Sequence, residues 1–176
     1  MNSLFIGRFQ PFHLGHLSVI QEIFANQKPG DILYIGIGSA MANYEEDNPF
    51  SAAERYTMID TTLQNIGIKN EQYRIIPVPN IGNYALWPRQ VELFIPVFQK
   101  LYTGSTIVQK LFEDYNTILK NPYEIIVIQP TLDISASKIR SLMIKNQEWK
   151  NLVHANVAEF IAKCDGIERI KKIQGE

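Results

Sequence analysis

Two of the three histidines in this chain of 176 residues stand close together, with Leu14 and Gly15 between His13 and His16. A short apolar run precedes them and apolar residues at helical spacing follow, so we expect a strand-to-helix junction here. The free amides and positive dipole end of a helix N-terminus suit a phosphate, and imidazoles add directed donors. Transfer at phosphorus depends mainly on alignment and on stabilising developing charge. The pair therefore indicates a site for phosphorus chemistry.

A second cluster of polar residues opens a predicted helix near the carboxyl end, in the segment Ser135-Ala136-Ser137-Lys138-Ile139-Arg140. The simplest interpretation is a serine-capped helix with exposed charges in its first turn. In the functional interpretation, the hydroxyls and free amides meet a phosphate, while Lys138 and Arg140 reach a triphosphate tail. Basic residues in a first turn oppose the helix dipole, and an anionic ligand would relieve that cost.

Metal ligation is a weaker interpretation of the histidine pair. The spacing lacks the i,i+4 geometry and the intervening glutamate of a zinc-protease helix, and no third histidine or cysteine is nearby. Each histidine taken alone could also be an ordinary residue at a helix start. We expect no resident metal ion held by protein side chains.

The elements that must position these residues alternate between strands and helices. Apolar runs predict strands over 3–6, 32–37, 73–78, 101–102 and 123–128. We predict helices through 17–24, from Ser51 to about 65, within 87–98, over 106–115, from Ser135 to about 146, and over 156–164. Ser51 and Glu54 form a capping box for the second helix. For the last helix, Asn156 and Glu159 form the cap and Gly166 is the stop.

This alternation predicts an α/β fold, a Rossmann-like parallel sheet with helices on both faces and C-terminal helices. We expect one domain over 1–176, with a C-terminal helical part over 135–176. Ligands of such sheets bind beyond the carboxyl ends of the strands. Polar or glycine-containing pairs follow three of the predicted strands there: Gly7-Arg8, Gly38-Ser39 and Thr103-Gly104.

Composition and charge narrow the function classes. The chain is 45% hydrophobic and 20% charged, with a formal net charge of -1, so no global basic field favours a nucleic acid or an anionic membrane. The amino terminus does not read as a signal peptide, and no apolar stretch is long enough for a membrane helix. We expect a cytoplasmic protein. The acidic segment Glu45-Glu46-Asp47 is expected to be solvated, or alternatively to help hold magnesium.

The segment Gly7-Arg8-Phe9-Gln10-Pro11-Phe12-His13-Leu14-Gly15-His16 resembles the signature of the HxGH nucleotidylyltransferase superfamily. Its form is that of the archaeal-type nicotinamide-nucleotide adenylyltransferases. Further resembling blocks follow in family order along most of the chain: 37–40, 48–55, 85–87, 102–104, 108–112, 135–140 and 166–170.

The resemblance implies transfer of AMP from ATP to nicotinamide mononucleotide, with Mg²⁺ accompanying ATP, in a homo-oligomer. It implies that His13, His16 and Arg140 are catalytic. It implies an ATP site made by Gly7, Arg8, Gly104, Ser135, Ser137 and Lys138. It implies a nicotinamide mononucleotide site made by Gly38, Ser39, Asn83, Tyr84 and Trp87, in which Trp87 stacks on the nicotinamide ring.

The chain departs from the family pattern in four places: Ser137 replaces a usual threonine, Tyr84 and Ser105 replace usual asparagines, and the acidic segment Glu45-Glu46-Asp47 stands where some relatives carry a basic residue. Two other functions stay open. One is another enzyme of the superfamily: a pantetheine-phosphate or FMN adenylyltransferase, or a cytidylyltransferase. The histidine motif binds phosphates and does not distinguish the acceptor. The other is a non-catalytic nucleotide sensor on the same fold, against which the intact phosphate-binding residues argue.

Overall fold

The computed structural model describes residues 1–128 and 134–175. Within them, five parallel strands form one sheet in the order β3-β2-β1-β4-β5. The strands are β1 (Ser3–Gly7), β2 (Leu33–Ile37), β3 (Tyr73–Pro77), β4 (Lys100–Thr103) and β5 (Glu124–Val127). Strands β1 and β2 are almost entirely buried because a parallel sheet is covered on both faces. The predicted Rossmann-like α/β fold is confirmed.

Helices cover both faces of the sheet, as predicted. The α-helices of the described residues are α1 (Leu14–Asn26), α2 (Ala52–Asn65), α3 (Trp87–Phe94), α4 (Thr106–Asn116), α5 (Ala136–Ile144), α6 (Ala155–Lys163) and α7 (Gly166–Gln174). One face carries α1, α2 and the three C-terminal helices, whose apolar residues form the larger core with Phe5 and Ile35. The other face carries α3 and α4 over Leu4 and Tyr34. Neighbouring residues of a strand thus enter opposite core layers.

The C-terminal region differs from the prediction in two respects. The cap of α6 is His154, whose ring nitrogen accepts a hydrogen bond from the backbone N–H of Asn156. Asn156 lies inside the helix, and its side chain donates to the Thr61 carbonyl oxygen. Gly166 does not end the helical region but begins α7. A side chain at Gly166 would lie 2.9 Å from Phe50, so the glycine permits close packing and is not a terminator.

The order of the strands creates a crevice at the carboxyl edge of the sheet. From β1 the chain proceeds through α1 to β2 on one side, whereas β4 and β5 lie on the other side of β1. Ligand sites of open α/β sheets form at such a reversal of strand order. None of the helices in the described part of the chain has the length and apolar character needed to cross a membrane.

Candidate active site

A cavity of about 500 Å³ opens at this edge of the sheet. Its walls come from the loop after β1 and from the amino-terminal ends of α1, α4 and α5. Eight of the predicted site residues line it: Gly7, Arg8, His13, His16, Gly104, Ser135, Ser137 and Arg140. Three helix N-termini therefore face one space, and their dipoles and free amides favour an anionic ligand.

The two histidines hold each other at the start of α1. The backbone N–H of His13 donates to Nδ1 of His16, and the backbone N–H of His16 donates to Nδ1 of His13, both at 3.3 Å. The rings stack with their centroids 3.6 Å apart. Because each Nδ1 accepts a hydrogen bond, the proton of each neutral ring lies on Nε2. The pair forms a capping box and leaves each Nε2–H as a donor for a ligand.

Both histidines are neutral at physiological pH. Burial lowers the pKa of His13 from its usual value of 6.5 to about 4. Burial also lowers the pKa of His16 well below its usual range, and the neighbouring His13 lowers it further. Desolvation disfavours the charged form of an imidazole. The site therefore presents two imidazole donors and no imidazolium charge.

Aromatic side chains produce this burial. The ring of Phe12 stacks on His16 at 5.7 Å, and Phe9 meets the same ring edge-on at 4.9 Å. Phe9 and Phe12 are each 1% exposed. The apolar residues of the signature thus surround the imidazole that the chemistry would use, and they fix its orientation.

The guanidinium of Arg140 is fixed in the cavity wall by hydrogen bonds to other protein groups. It is 6% exposed and donates from Nη1 to the Gln10 carbonyl oxygen at 2.9 Å. Its Nη2 donates to Asp47 Oδ1 at 2.9 Å. Burial lowers the pKa of Arg140, while Asp47 raises it. This residue joins the far end of the sequence to the loop after β1.

Asp47 bridges the two arginines of the cavity. Its second carboxylate oxygen lies 3.8 Å from Nη1 of Arg8. The expectation of an acidic loop that is merely solvated is therefore wrong for Asp47, because its carboxylate pairs with Arg140 and Arg8 although its side chain is 65% exposed. The sequence could not reveal this pairing, which joins residues 93 positions apart.

The remaining predicted phosphate residues have different roles. Ser135 caps α5, with its hydroxyl accepting from the Lys138 backbone N–H at 3.2 Å. Ser137 lines the cavity, whereas Lys138 is not among its lining residues. Ser105 lines the cavity and caps α4 by accepting from the Val108 backbone N–H at 3.3 Å.

The predicted nicotinamide residues do not enter this cavity. Asn83, Tyr84 and Trp87 line a separate cavity of about 90 Å³ together with Asn80, Ile81 and Gly82. Trp87 is partly buried and meets Phe112 edge-on, while Tyr84 is 71% exposed. Oδ1 of Asn83 accepts a hydrogen bond from the Ala85 backbone N–H.

Gly38 and Ser39 line neither cavity but connect the two. The Gly38 backbone N–H donates to the carbonyl oxygen of Gly7, in the wall of the larger cavity, at 2.9 Å. Asn80, in the wall of the smaller one, donates from Nδ2 to Ser39 Oγ at 3.0 Å. The predicted site residues are therefore divided between two neighbouring cavities joined by the loop after β2.

Several cavity residues were missed from the sequence. Gln10 is 1% exposed, and its amide exchanges two hydrogen bonds with the backbone of Phe50, at 2.8 and 2.9 Å. Ser18 and Glu22 line the cavity from α1. Their spacing of three and seven residues from Gly15 places them on the same helical face, and this signal was available. Gln10 lies within the signature, but its hydrogen bonds to Phe50 could not be predicted, because the two residues are 40 positions apart.

Comparison with known sequences identifies relatives of this chain. Residues 4–142 match the model of the cytidylyltransferase-like family. The nicotinamide-nucleotide adenylyltransferase of Thermococcus onnurineus is 38% identical over 173 residues, which are 97% of this chain and 87% of the relative. That of Methanococcus maripaludis (strain DSM 14266) is also 38% identical, over 98% of this chain and 95% of the relative.

Solved structures share the fold. A bifunctional NMN adenylyltransferase/ADP ribose pyrophosphatase from Francisella tularensis, complexed with AMP and a manganese ion, matches with a TM-score of 0.75 and 23% identity. The match covers 99% of this chain and 52% of the bifunctional one, so this chain spans about half its length. Plasmodium falciparum nicotinic acid mononucleotide adenylyltransferase complexed with NaAD matches with a TM-score of 0.67 and 19% identity, over 95% of this chain and 97% of the other.

Proposed function

Because this chain belongs to the cytidylyltransferase-like family and, within it, to the nicotinamide-nucleotide adenylyltransferases, we propose that it converts ATP and nicotinamide mononucleotide to NAD and pyrophosphate. The observation that carries the proposal is the pair of neutral, mutually capped histidines at the N-terminus of α1. They line a cavity into which two further helix N-termini open. Such a space suits a polyphosphate.

The reaction is a direct displacement at phosphorus. A phosphate oxygen of the mononucleotide forms a bond to the α-phosphorus of ATP, and the bond from that phosphorus to the bridging oxygen of the β-phosphate breaks. Pyrophosphate leaves with the electron pair. In the larger cavity, Nε2–H of His13 and His16 donate to phosphate oxygens, and His16 stabilises the charge that develops in the transition state. Arg8, Arg140 and Ser137 hold the triphosphate.

The lowered pKa values suit this role. The attacking phosphate loses its second proton with a pKa of about 6, so it is already a dianion at neutral pH. No general base is required to remove a proton from the nucleophile. Histidines that are neutral before the substrates bind, with a pKa of about 4 for His13, offer Nε2–H donors to the phosphate oxygens.

A divalent cation is consistent with the family's chemistry, and we assign Mg²⁺ as the cation that accompanies ATP. The described residues contain no group of three or more His, Cys, Asp or Glu side chains that could hold a metal ion. We expect the cation to be held mainly by triphosphate oxygens and water, which is the usual mode for magnesium. When bound, the cation would offset negative charge on the phosphates.

The smaller cavity takes the nicotinamide. A cationic pyridinium ring is attracted to the face of an indole, so Trp87 stacks on it. The Asn83 oxygen is occupied by the Ala85 amide, which leaves its Nδ2 group to donate to the carboxamide oxygen. Tyr84 borders this ring, and Gly38 and Ser39 lie where the two substrates meet.

The protein is also proposed to act in the cytoplasm as a homo-oligomer, without a nucleic acid or membrane partner. The formal charge of -1 supports the last point. Exposed apolar residues on and just after α3, Leu93 at 72% and Val97 at 77%, support self-association. We further propose that 1–176 is a single domain, since both core layers in the described residues pack on one sheet.

The test is pyrophosphate release from ATP and Mg²⁺ with nicotinamide mononucleotide, its acid analogue, phosphopantetheine and FMN offered in parallel. Release with the first acceptor, accompanied by NAD, is the expected result. Release with phosphopantetheine or FMN alone would keep the phosphate site and contradict the nicotinamide site. Folded protein that binds ATP but releases nothing with any acceptor would contradict the enzymatic function and favour a sensor.

A further inference from the structure

Arg55, in the first turn of α2, is the largest fully buried side chain among the described residues. It belongs to the core face of the helix, where Met58, Ile59 and Thr62 follow at helical spacing. Burial lowers the pKa of Arg55 to about 10, with a further lowering from the charge of Arg8 and a raising from Glu54. At neutral pH, Arg55 is therefore a buried cation.

All the hydrogen bonds of its guanidinium in the described part of the chain end on main-chain carbonyl oxygens. Nη1 donates to the carbonyls of Arg8 at 2.9 Å and Gly38 at 2.8 Å. Nη2 donates to the Ser39 carbonyl at 3.1 Å, and Nε donates to the Ser51 carbonyl at 3.2 Å. The guanidinium thus joins the loop after β1, the loop after β2 and the cap of its own helix.

A buried cation of this kind carries a desolvation cost. Its hydrogen bonds to four carbonyl oxygens offset that cost and at the same time fix the positions of those carbonyls. Arginine does what an apolar side chain cannot. Its planar fork offers five donors in fixed directions, so one residue can hold several carbonyls at a set separation.

Of the bonded segments, one lines the larger cavity and another is hydrogen-bonded to the wall of the smaller one. Arg8 lines the larger one. Ser39 accepts a hydrogen bond from Asn80, which lines the smaller one. Arg55 therefore stands at the centre of a continuous hydrogen-bonded connection from the triphosphate side to the nicotinamide side.

We propose that Arg55 is a positioning residue that fixes the distance between the two substrate cavities, so that the acceptor phosphate meets the α-phosphorus of ATP in line. The inference rests on the proposed function. Arg55 touches neither substrate and acts through the backbone of Arg8, Gly38 and Ser39. Because in-line transfer depends steeply on alignment, a misplacement of about 1 Å costs on the order of 100-fold in rate.

The test separates alignment from binding. In Arg55→Lys the charge remains, but a single ammonium cannot hold the same carbonyls. We expect kcat to fall at least tenfold, while the dissociation constants for ATP and for nicotinamide mononucleotide, titrated separately by calorimetry, each change less than about threefold. Arg55→Met is the second variant, since it fills similar space without charge; it is expected to lower Tm because the carbonyl oxygens lose their donor, and kcat is measured on protein shown to be folded by circular dichroism. It is expected to show the same kcat loss.

The matched control is Met58→Ala, one turn further along the same buried face of α2. The void left by the shortened side chain should lower Tm, while kcat should stay within about twofold of wild type. Equal kcat losses in the Arg55 variants and in Met58→Ala would show a merely structural role and overturn the proposal. Unchanged kcat in either Arg55 variant, or parallel losses of both affinities, would also overturn it. A wild-type protein that makes no NAD would overturn the proposed function, and this inference with it.

Discussion

The two cavities are built differently. In the larger one, buried polar groups are fixed by hydrogen bonds within the protein. The histidines cap each other, and Arg140 and Gln10 are bonded to main-chain atoms. The smaller one is formed by 80–87, where Tyr84 is 71% exposed. Groups that must meet developing charge have to be oriented before the reaction starts. Groups that recognise a ring can adapt, so under the proposed function the larger cavity would serve the chemistry and the smaller one would serve recognition.

Removal of a chemical group from the larger cavity is the strongest test of this difference. For His16→Ala we expect kcat to fall by about 10² to 10³, the effect of losing one transition-state donor, while the dissociation constant of ATP changes little. His154→Ala is the control, because His154 caps α6 outside the site. It should lower Tm and leave kcat unchanged. Retained turnover in His16→Ala would remove His16 from the mechanism.

The desolvation of the larger cavity predicts a pH-dependent stability. The pKa of His13 in the folded protein is about 4, below the 6.5 of the exposed group, so the unfolded chain binds a proton more readily between these values. Stability is full above about pH 6.5 and falls as the pH drops towards 4, by about 3 kcal/mol for this residue. Thermal unfolding across this range should show a steeper loss for wild type than for His13→Asn. Identical slopes would contradict a desolvated His13.

Removal of the ring from the smaller cavity should affect binding more than chemistry. Trp87→Ala is expected to raise KM for nicotinamide mononucleotide about tenfold, because a cation–π contact contributes roughly 1 to 2 kcal/mol. KM for ATP should stay within twofold. Trp87→Phe, which keeps an aromatic face, should recover most of the affinity. If kcat of Trp87→Ala fell as much as that of His16→Ala, the assignment of binding to one cavity and chemistry to the other would be contradicted.

The smallest expected effect concerns the carboxylate between the two arginines. Asp47 occupies Arg140 and Arg8 where a triphosphate would need them, so Asp47→Asn should lower KM for ATP about threefold. An exposed ion pair contributes little, which limits the change. Glu71→Gln, at the exposed residue Glu71, controls for net charge. Steady-state kinetics that give a higher KM in Asp47→Asn would show that the carboxylate helps binding.

The local patterns of the sequence predicted much of the fold and the core of the site. The positions of the strands along the chain followed from apolar runs, and the histidine pair from its position before α1, because both depend on neighbouring residues. The start of α7 at Gly166 was missed, since a glycine needed for contact with Phe50 looks the same as one that ends a helix. The roles of Asp47 and Arg55 depend on partners brought close only by folding. No local sequence pattern indicates these two roles.

The neutrality of the stacked histidines also bears on how the reaction ends. Pyrophosphate is a polyanion, and full positive charges would retain it through long-range attraction. Imidazole donors and helix dipoles act over short distances, and Asp47 offsets part of the arginine charge. We therefore expect the histidines to add little long-range attraction for pyrophosphate as it leaves, and the turnover to respond weakly to ionic strength.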